Sequence, residues 1–179
     1  GKYGIHALNS SAVNYGIVEN GGAWGIKSEG DTSVVENYGI VRNGGSAGMG
    51  ALNGGTVINQ NGGVISNSGE NAMYAASNSK VINNGIIENG KSAGMLISGA
   101  NASGINNGEI KTNGGYGMQG DSTAEIVNNG KISNNGDIGM IIFSDKTRAI
   151  NNNIIENNGN NGMHMEANGY MENTGVIQN

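Results

Sequence analysis

At 179 residues the chain has the length of one ordinary domain, yet only 36% of it is hydrophobic and 4% aromatic, thin material for a conventional globular core. Nine Lys and Arg against fourteen Asp and Glu leave a net charge of −5, so there is no basic patch to neutralise phosphates, and nucleic-acid binding is not expected. Without cysteine there are neither disulfides nor thiolate metal sites, and no apolar run reaches the ~20 residues that span a bilayer.

Disorder is the first reading of such polarity, but disordered chains are rich in Pro and poor in β-branched residues. Here proline is absent while Ile and Val recur at regular intervals, and the 34 glycines, matched by a similar number of asparagines, favour tight turns. The opening GKYGIHALNS lacks a charged segment followed by an apolar stretch, so any export signal is expected outside this sequence.

Taken in chain order, a Gly (once Ala) followed by Ile or Met opens a unit at Gly4, Gly25, Gly48, Ala72, Gly94, Gly117, Gly139 and Gly162, at intervals of 21, 23, 24, 22, 23, 22 and 23 residues. Each unit carries the pattern V-x-N-x-G-x-I-x-N, as in VINNGIIEN from Val81 to Asn89 and IVNNGKISN from Ile126 to Asn134. Apolar and polar residues alternate with period two, the mark of strands, and the runs are too short and too broken by Asn-Gly for helices. Three strands per unit, joined by Gly/Asn corners, use every residue. One unit cannot bury a face alone, but stacking pairs each strand with its equivalent about 4.8 Å away and closes a core. The expectation is an all-β, three-sided parallel β-helix, a solenoid of eight coils of about 22–23 residues in a single domain over 1–179, roughly 38 Å long.

Alternation assigns the columns. In the first strand Ile5, Ile26, Met49, Met73, Met95, Met118, Met140 and Met163 point inward, joined two residues on by Ala7, Ser28, Ala51, Ala75, Ile97, Gly120, Ile142 and Met165. The third strand adds Val18, Val41, Ile65, Ile87, Ile110, Ile132, Ile155 and Ile177. Asparagines fall in register at two corners: Asn14, Asn37, Asn83, Asn106, Asn128, Asn151 and Asn173, then Asn20, Asn43, Asn67, Asn89, Asn134, Asn157 and Asn179. Both sets read as structural ladders in which each amide bonds its equivalents above and below. One extra residue near Asn59 to Gly63 reads as a bulge in the third coil.

The units GMLISGANASGINNGEI and GMQGDSTAEIVNNGKISNNG resemble the passenger repeats of large bacterial autotransporter adhesins, especially the Asn/Gly-rich ones of fusobacteria. The resemblance covers the whole chain and implies a right-handed β-helix, secretion to the bacterial cell surface and adhesion to a cell-surface protein or glycan receptor. The chain departs from that family in lacking a signal sequence or a C-terminal membrane barrel.

Enzymes are the rival, because many three-sided β-helices cleave polysaccharides. That chemistry needs paired carboxylates or an acidic cluster with a basic residue. Asp121 and Asp145, on neighbouring coils with Arg148 nearby, are the nearest approach, and a solvated charged turn accounts for them; no catalytic residue, cofactor or metal is expected. His6 and His164 share an outward column seven coils apart, about 34 Å, too far to share a metal.

Two contact surfaces stand out. Leu8, Leu52, Tyr74, Leu96, Ile141 and Phe143 fall on outward positions of the first strand, which suggests a partner or lateral packing face, a loop covering it, or a register off by one. Neither end looks like a cap. Joining the last residues to the first gives VIQN-GKYGI, which matches IENGKSAGM within the chain, so the interval from Gly162 to a following Gly4 would be 21. The end-to-end junction would use Gly1, Lys2, Tyr3, His6, His164, Gln178 and Asn179, in a longer solenoid, a tandem module or a filament of stacked copies.

Overall fold

The computed structural model describes every residue except Ser68, Gly90, Asn113, Asn135 and Asn158, and every side chain except those and Asn89, Asn134 and Asn157. The first coil folds as Tyr3–Leu8, Ser11–Asn14 and Ile17–Asn20, and the same three strands recur in each following coil. Equivalent strands pair in parallel into three eight-stranded sheets, so eight coils stack into a three-sided solenoid. No helix occurs among the described residues.

Pairing is in register throughout. Met49, Met73, Met95, Met118 and Met140 face one another in consecutive coils of the first sheet, and Val41, Ile65, Ile87, Ile110 and Ile132 do so in the third. All ten are fully buried. The second sheet adds an inward column that the sequence reading did not single out: Ala12, Val35, Val57, Val81, Gly104, Ile126, Ala149 and Met171.

Volumes are traded between neighbouring columns within a coil. Where Ile97 takes the place of Ala75, Gly104 takes the place of Val81, and a Cβ on Gly104 would sit 2.4 Å from the Ile97 Cδ1. In the next coil the small residue is Gly120 and the large one Ile126; in the one after, the pair is Ile142 and Ala149. A close-packed interior requires this balance in every layer.

Left-handed residues turn the chain from the first sheet into the second, among them Asn53 (φ 50°), Asn78 (φ 60°) and Asn101 (φ 57°), a conformation that asparagine tolerates better than most residues. The corner between the second and third sheets holds a continuous amide ladder. Each Nδ2 donates to the Oδ1 of the next coil, from Asn14 through Asn37, Asn59, Asn83, Asn106, Asn128 and Asn151 to Asn173, at 2.7–2.8 Å.

Three sequence expectations need correction. Asn59 belongs to this ladder, and the third coil carries two extra residues rather than one, since five steps lead from Asn59 to Val64 where three lead from Asn37 to Ile40. They form a corner turn, not a bulge in a strand, so the ladders on both sides keep register. At the third corner no amide-to-amide bond occurs among the described residues: Asn20, Asn43 and Asn67 donate to the carbonyls of Trp24, Ala47 and Asn71 four residues on in their own coils. The buried Asn43 and Asn67 Oδ1 atoms have no partner among the described residues, whereas Asn89, Asn134 and Asn157 lie outside the described side chains. Ile141 is fully buried rather than outward-exposed.

The two corners therefore differ in cost. Asn106→Ala removes two amide–amide bonds and strands the Asn128 oxygen, and should destabilise the chain by about 2–4 kcal/mol in urea unfolding; Asn43→Ala, whose oxygen is already unpaired, should cost about 1–2 kcal/mol. Equal costs would contradict the ladder geometry.

Candidate functional site

Alternation sends Leu52, Tyr74, Leu96 and Phe143 of the first sheet outward. Trp24 and Tyr116 share the parity of the inward Ile26 and Met118, yet their rings meet Tyr74 and Phe143 on that outer face, because the glycine that follows each of them turns its Cβ position to the core and breaks the alternation. Trp24, Tyr74, Tyr116 and Phe143 lie half-buried along that face with Leu52 and Leu96, while Leu8 at the first coil is 57% exposed. Gly50 makes room for the tryptophan: a Cβ there would lie 1.6 Å from the Trp24 Cζ3. The indole thus crosses the third coil and meets Tyr74 of the fourth edge-on, with ring centres 5.6 Å apart. Further along, Tyr116 and Phe143 meet at 5.7 Å, and Ile141, two residues before Phe143 and paired with Gln119 and His164, is fully buried. An aromatic and aliphatic stripe therefore runs most of the length of one face.

Polar groups border it. At the first coils the Lys27 Nζ lies 2.6 Å from the Glu29 carboxylate and 5.1 Å from the centre of the Tyr3 ring. The hydrogen bond from Lys27, aided by His6 at 3.1 Å, holds the Glu29 carboxyl below its ordinary pKa. Mid-face, Gln119 donates to Asp121 at 3.2 Å, and burial pushes the Asp121 carboxyl above the usual carboxylate range despite that bond.

Each member of the acidic constellation has its own local partner, Gln119 in the case of Asp121. Asp145 accepts from the Asn168 backbone N–H at 2.9 Å, and Arg148 pairs with Glu125 at 3.1 Å and lies over the Tyr170 ring at 5.3 Å. His6 and His164 occupy opposite end coils; His164 shares a hydrogen bond with the Asn161 amide and lies 3.6 Å from Glu166. Among the described residues no group of three or more His, Asp and Glu could hold a metal.

At the ends, the Lys2 carbonyl accepts from the Trp24 N–H, Tyr3 pairs with Trp24, and Gln178 pairs with Glu156, while Gly1 and Asn179 are exposed. The last coil has one neighbour only, so the inward Met165 and Ile177 are 45% and 37% exposed.

A second ladder escaped the sequence reading. Just outside the buried asparagines, Gln60 donates to Glu36, Asn84 to Gln60, Asn107 to Asn84, Asn129 to Asn107, Asn152 to Asn129 and Thr174 to Asn152, at 2.7–3.3 Å. In the first two coils the same corner position carries Tyr15 and Tyr38, exposed and stacked at 5.2 Å. The signal was the Asn-Asn doublet repeating at 83–84, 106–107, 128–129 and 151–152.

Because Trp24 is the only tryptophan, its emission reports on the ring platform. Gly50→Val should displace the indole and shift its fluorescence to the red while far-ultraviolet circular dichroism keeps its β signature; unchanged emission would show that the ring does not depend on Gly50.

Comparison with curated proteins and with solved structures returns no match. The model of the right-handed β-helix region matches residues 52–179, more than half of the sequence, and the chain belongs to that family.

Proposed function

We propose that this β-solenoid is an elongated structural and adhesive element on a bacterial cell surface, of the kind built from autotransporter passenger repeats, and that the ring-bearing face of its first sheet is the contact surface. The observation that carries this reading is the stripe formed by Trp24, Tyr74, Leu96, Tyr116 and Phe143, apolar area left outside a core that is already closed. A rigid stacked rod suits such a surface because it holds the contact groups in fixed positions at little ordering cost on binding. The proposed role is non-enzymatic, and the Asp121 and Asp145 carboxylates are engaged in separate local bonds, with Gln119 and with the Asn168 backbone N–H.

Polysaccharide binding is the second reading, favoured by the rings with Gln119 and Asp121 beside them, since aromatic faces and planar polar groups suit a sugar chain. The Leu96→Glu, Phe143→Glu double variant tests both: with the fold intact, binding to host cells, bacteria or immobilised glycans should fall about tenfold or more. Unchanged binding would remove this face from the function.

End-to-end association is proposed through the outer edges of the first and last coils. At the last coil the buried ladder ends on the Asn173 Nδ2, which turns to the Gly175 carbonyl, and at the first it begins with the Asn14 Oδ1. A coil added beyond Asn173 with an asparagine in register would extend the series, whether in one long chain or between copies. Electron microscopy of the purified chain at high concentration should show rods that are multiples of about 38 Å; uniform single rods would count against association between copies.

A further inference from the structure

We propose that Asn61 is a site of spontaneous covalent modification, where the backbone nitrogen of Gly62 attacks the side-chain amide and converts the residue to aspartate and isoaspartate, while the fold shields the other described Asn-Gly steps. In this reaction the Gly62 N–Cγ bond forms, the Cγ–Nδ2 bond breaks, and ammonia leaves with the proton from the Gly62 nitrogen. Water then opens the five-membered imide at either carbonyl. The reaction needs a glycine nitrogen that can reach Cγ and an amide free to turn towards it.

The sequence alone cannot rank its many Asn-Gly steps; nine of them have both residues described. Seven have the amide, the following nitrogen or both held. Asn84, Asn107 and Asn129 are locked in the outer ladder, and the Gly108 and Gly130 nitrogens donate to the Asn83 and Asn106 carbonyls at 3.0 Å. Asn20 and Asn43 donate to the Trp24 and Ala47 carbonyls, and Gly44 donates to the Asn20 carbonyl. Asn53 donates to Glu29 while Gly54 donates to Ser79, and the Gly169 nitrogen after Asn168 donates to the Ala167 carbonyl. An eighth, Asn161, stands inside a paired strand with its amide on His164.

Asn61 differs on every count. It lies in the two-residue insertion of the third coil, where Gly63 N–H donates to the Gln60 carbonyl and Gly62 takes φ +88°, so Asn61 and Gly62 are the two central residues of a tight turn of type II form. Both are exposed, neither the Asn61 amide nor the Gly62 nitrogen has a partner among the described residues, and a Cβ on Gly62 would meet nothing within 4 Å. The peptide plane between them can therefore rotate without breaking a bond or displacing a neighbour.

Incubating the intact chain at mildly alkaline pH, alone and in concentrated urea, and mapping its peptides by mass spectrometry tests this. Asn61 should react in the folded chain at a rate within about threefold of its unfolded rate, giving both aspartate and isoaspartate, whereas Asn84, Asn107 and Asn129 should be slowed about tenfold or more by folding. Asn61→Gln should abolish the change in that peptide and leave the melting temperature unaltered. Protection of Asn61 equal to that of the ladder residues, or a ladder asparagine reacting first, would overturn the site; aspartate without isoaspartate would overturn the imide route.

Discussion

Every strand of this molecule finds its hydrogen-bonding partner one coil away, and nearly everything else follows from that constraint. A coil of about 22 residues has too little apolar surface to bury anything alone, so its stability lies in the next coil. In-register parallel pairing places like on like, and like on like is favourable for only a few side-chain types. Aliphatic chains stack into a core, amides donate upward and accept from below, and tyrosines stack face to face. Charges in identical columns would repel, and the outward columns accordingly alternate: Glu19 meets Arg42, Glu125 meets Arg148, and Lys131 reaches Glu156.

The same constraint explains why so much could be read from one sequence. Period-two alternation with a 21–24-residue repeat was enough to place the methionine column of the first sheet and the Ile/Val column of the third, because a one-residue slip would have moved every apolar group outward. What escaped was local or lateral. Asn59 was lost from its column because two extra residues follow it and a short turn absorbs them without disturbing the strands. Ile141 reads as solvent-facing because alternation reports on which side of a sheet a residue lies, not on whether its neighbours on that side cover it. Asn20, Asn43 and Asn67 share a column without bonding along it, since an amide can bond along its own coil as readily as across to the next. The outer ladder is legible in the repeated Asn-Asn doublet, whose second member lies outside the column that the alternation marks as buried.

Rigidity and exposure are distributed unevenly as a result. Core and corners are held by repetition, so a defect in one coil is flanked by two intact ones. The third coil, with its inserted turn at 60–63 and Gly50 beneath the Trp24 ring, is where the repeat departs furthest from its own pattern. The departures are confined to the outside: inward volumes remain balanced coil by coil, with Ile97 against Gly104 and Gly120 against Ile126.

The two amide ladders at the second corner run side by side, and they point in opposite directions: the buried amides donate towards the last coil, the exposed ones towards the first. An α-helix sums its aligned peptide dipoles into partial charges at its ends. Here neighbouring rows of side-chain dipoles oppose one another and largely cancel. Adding coils lengthens both rows equally, so their combined field does not grow with the length of the rod, and this corner sets no electrostatic limit on how many coils a solenoid of this kind can contain.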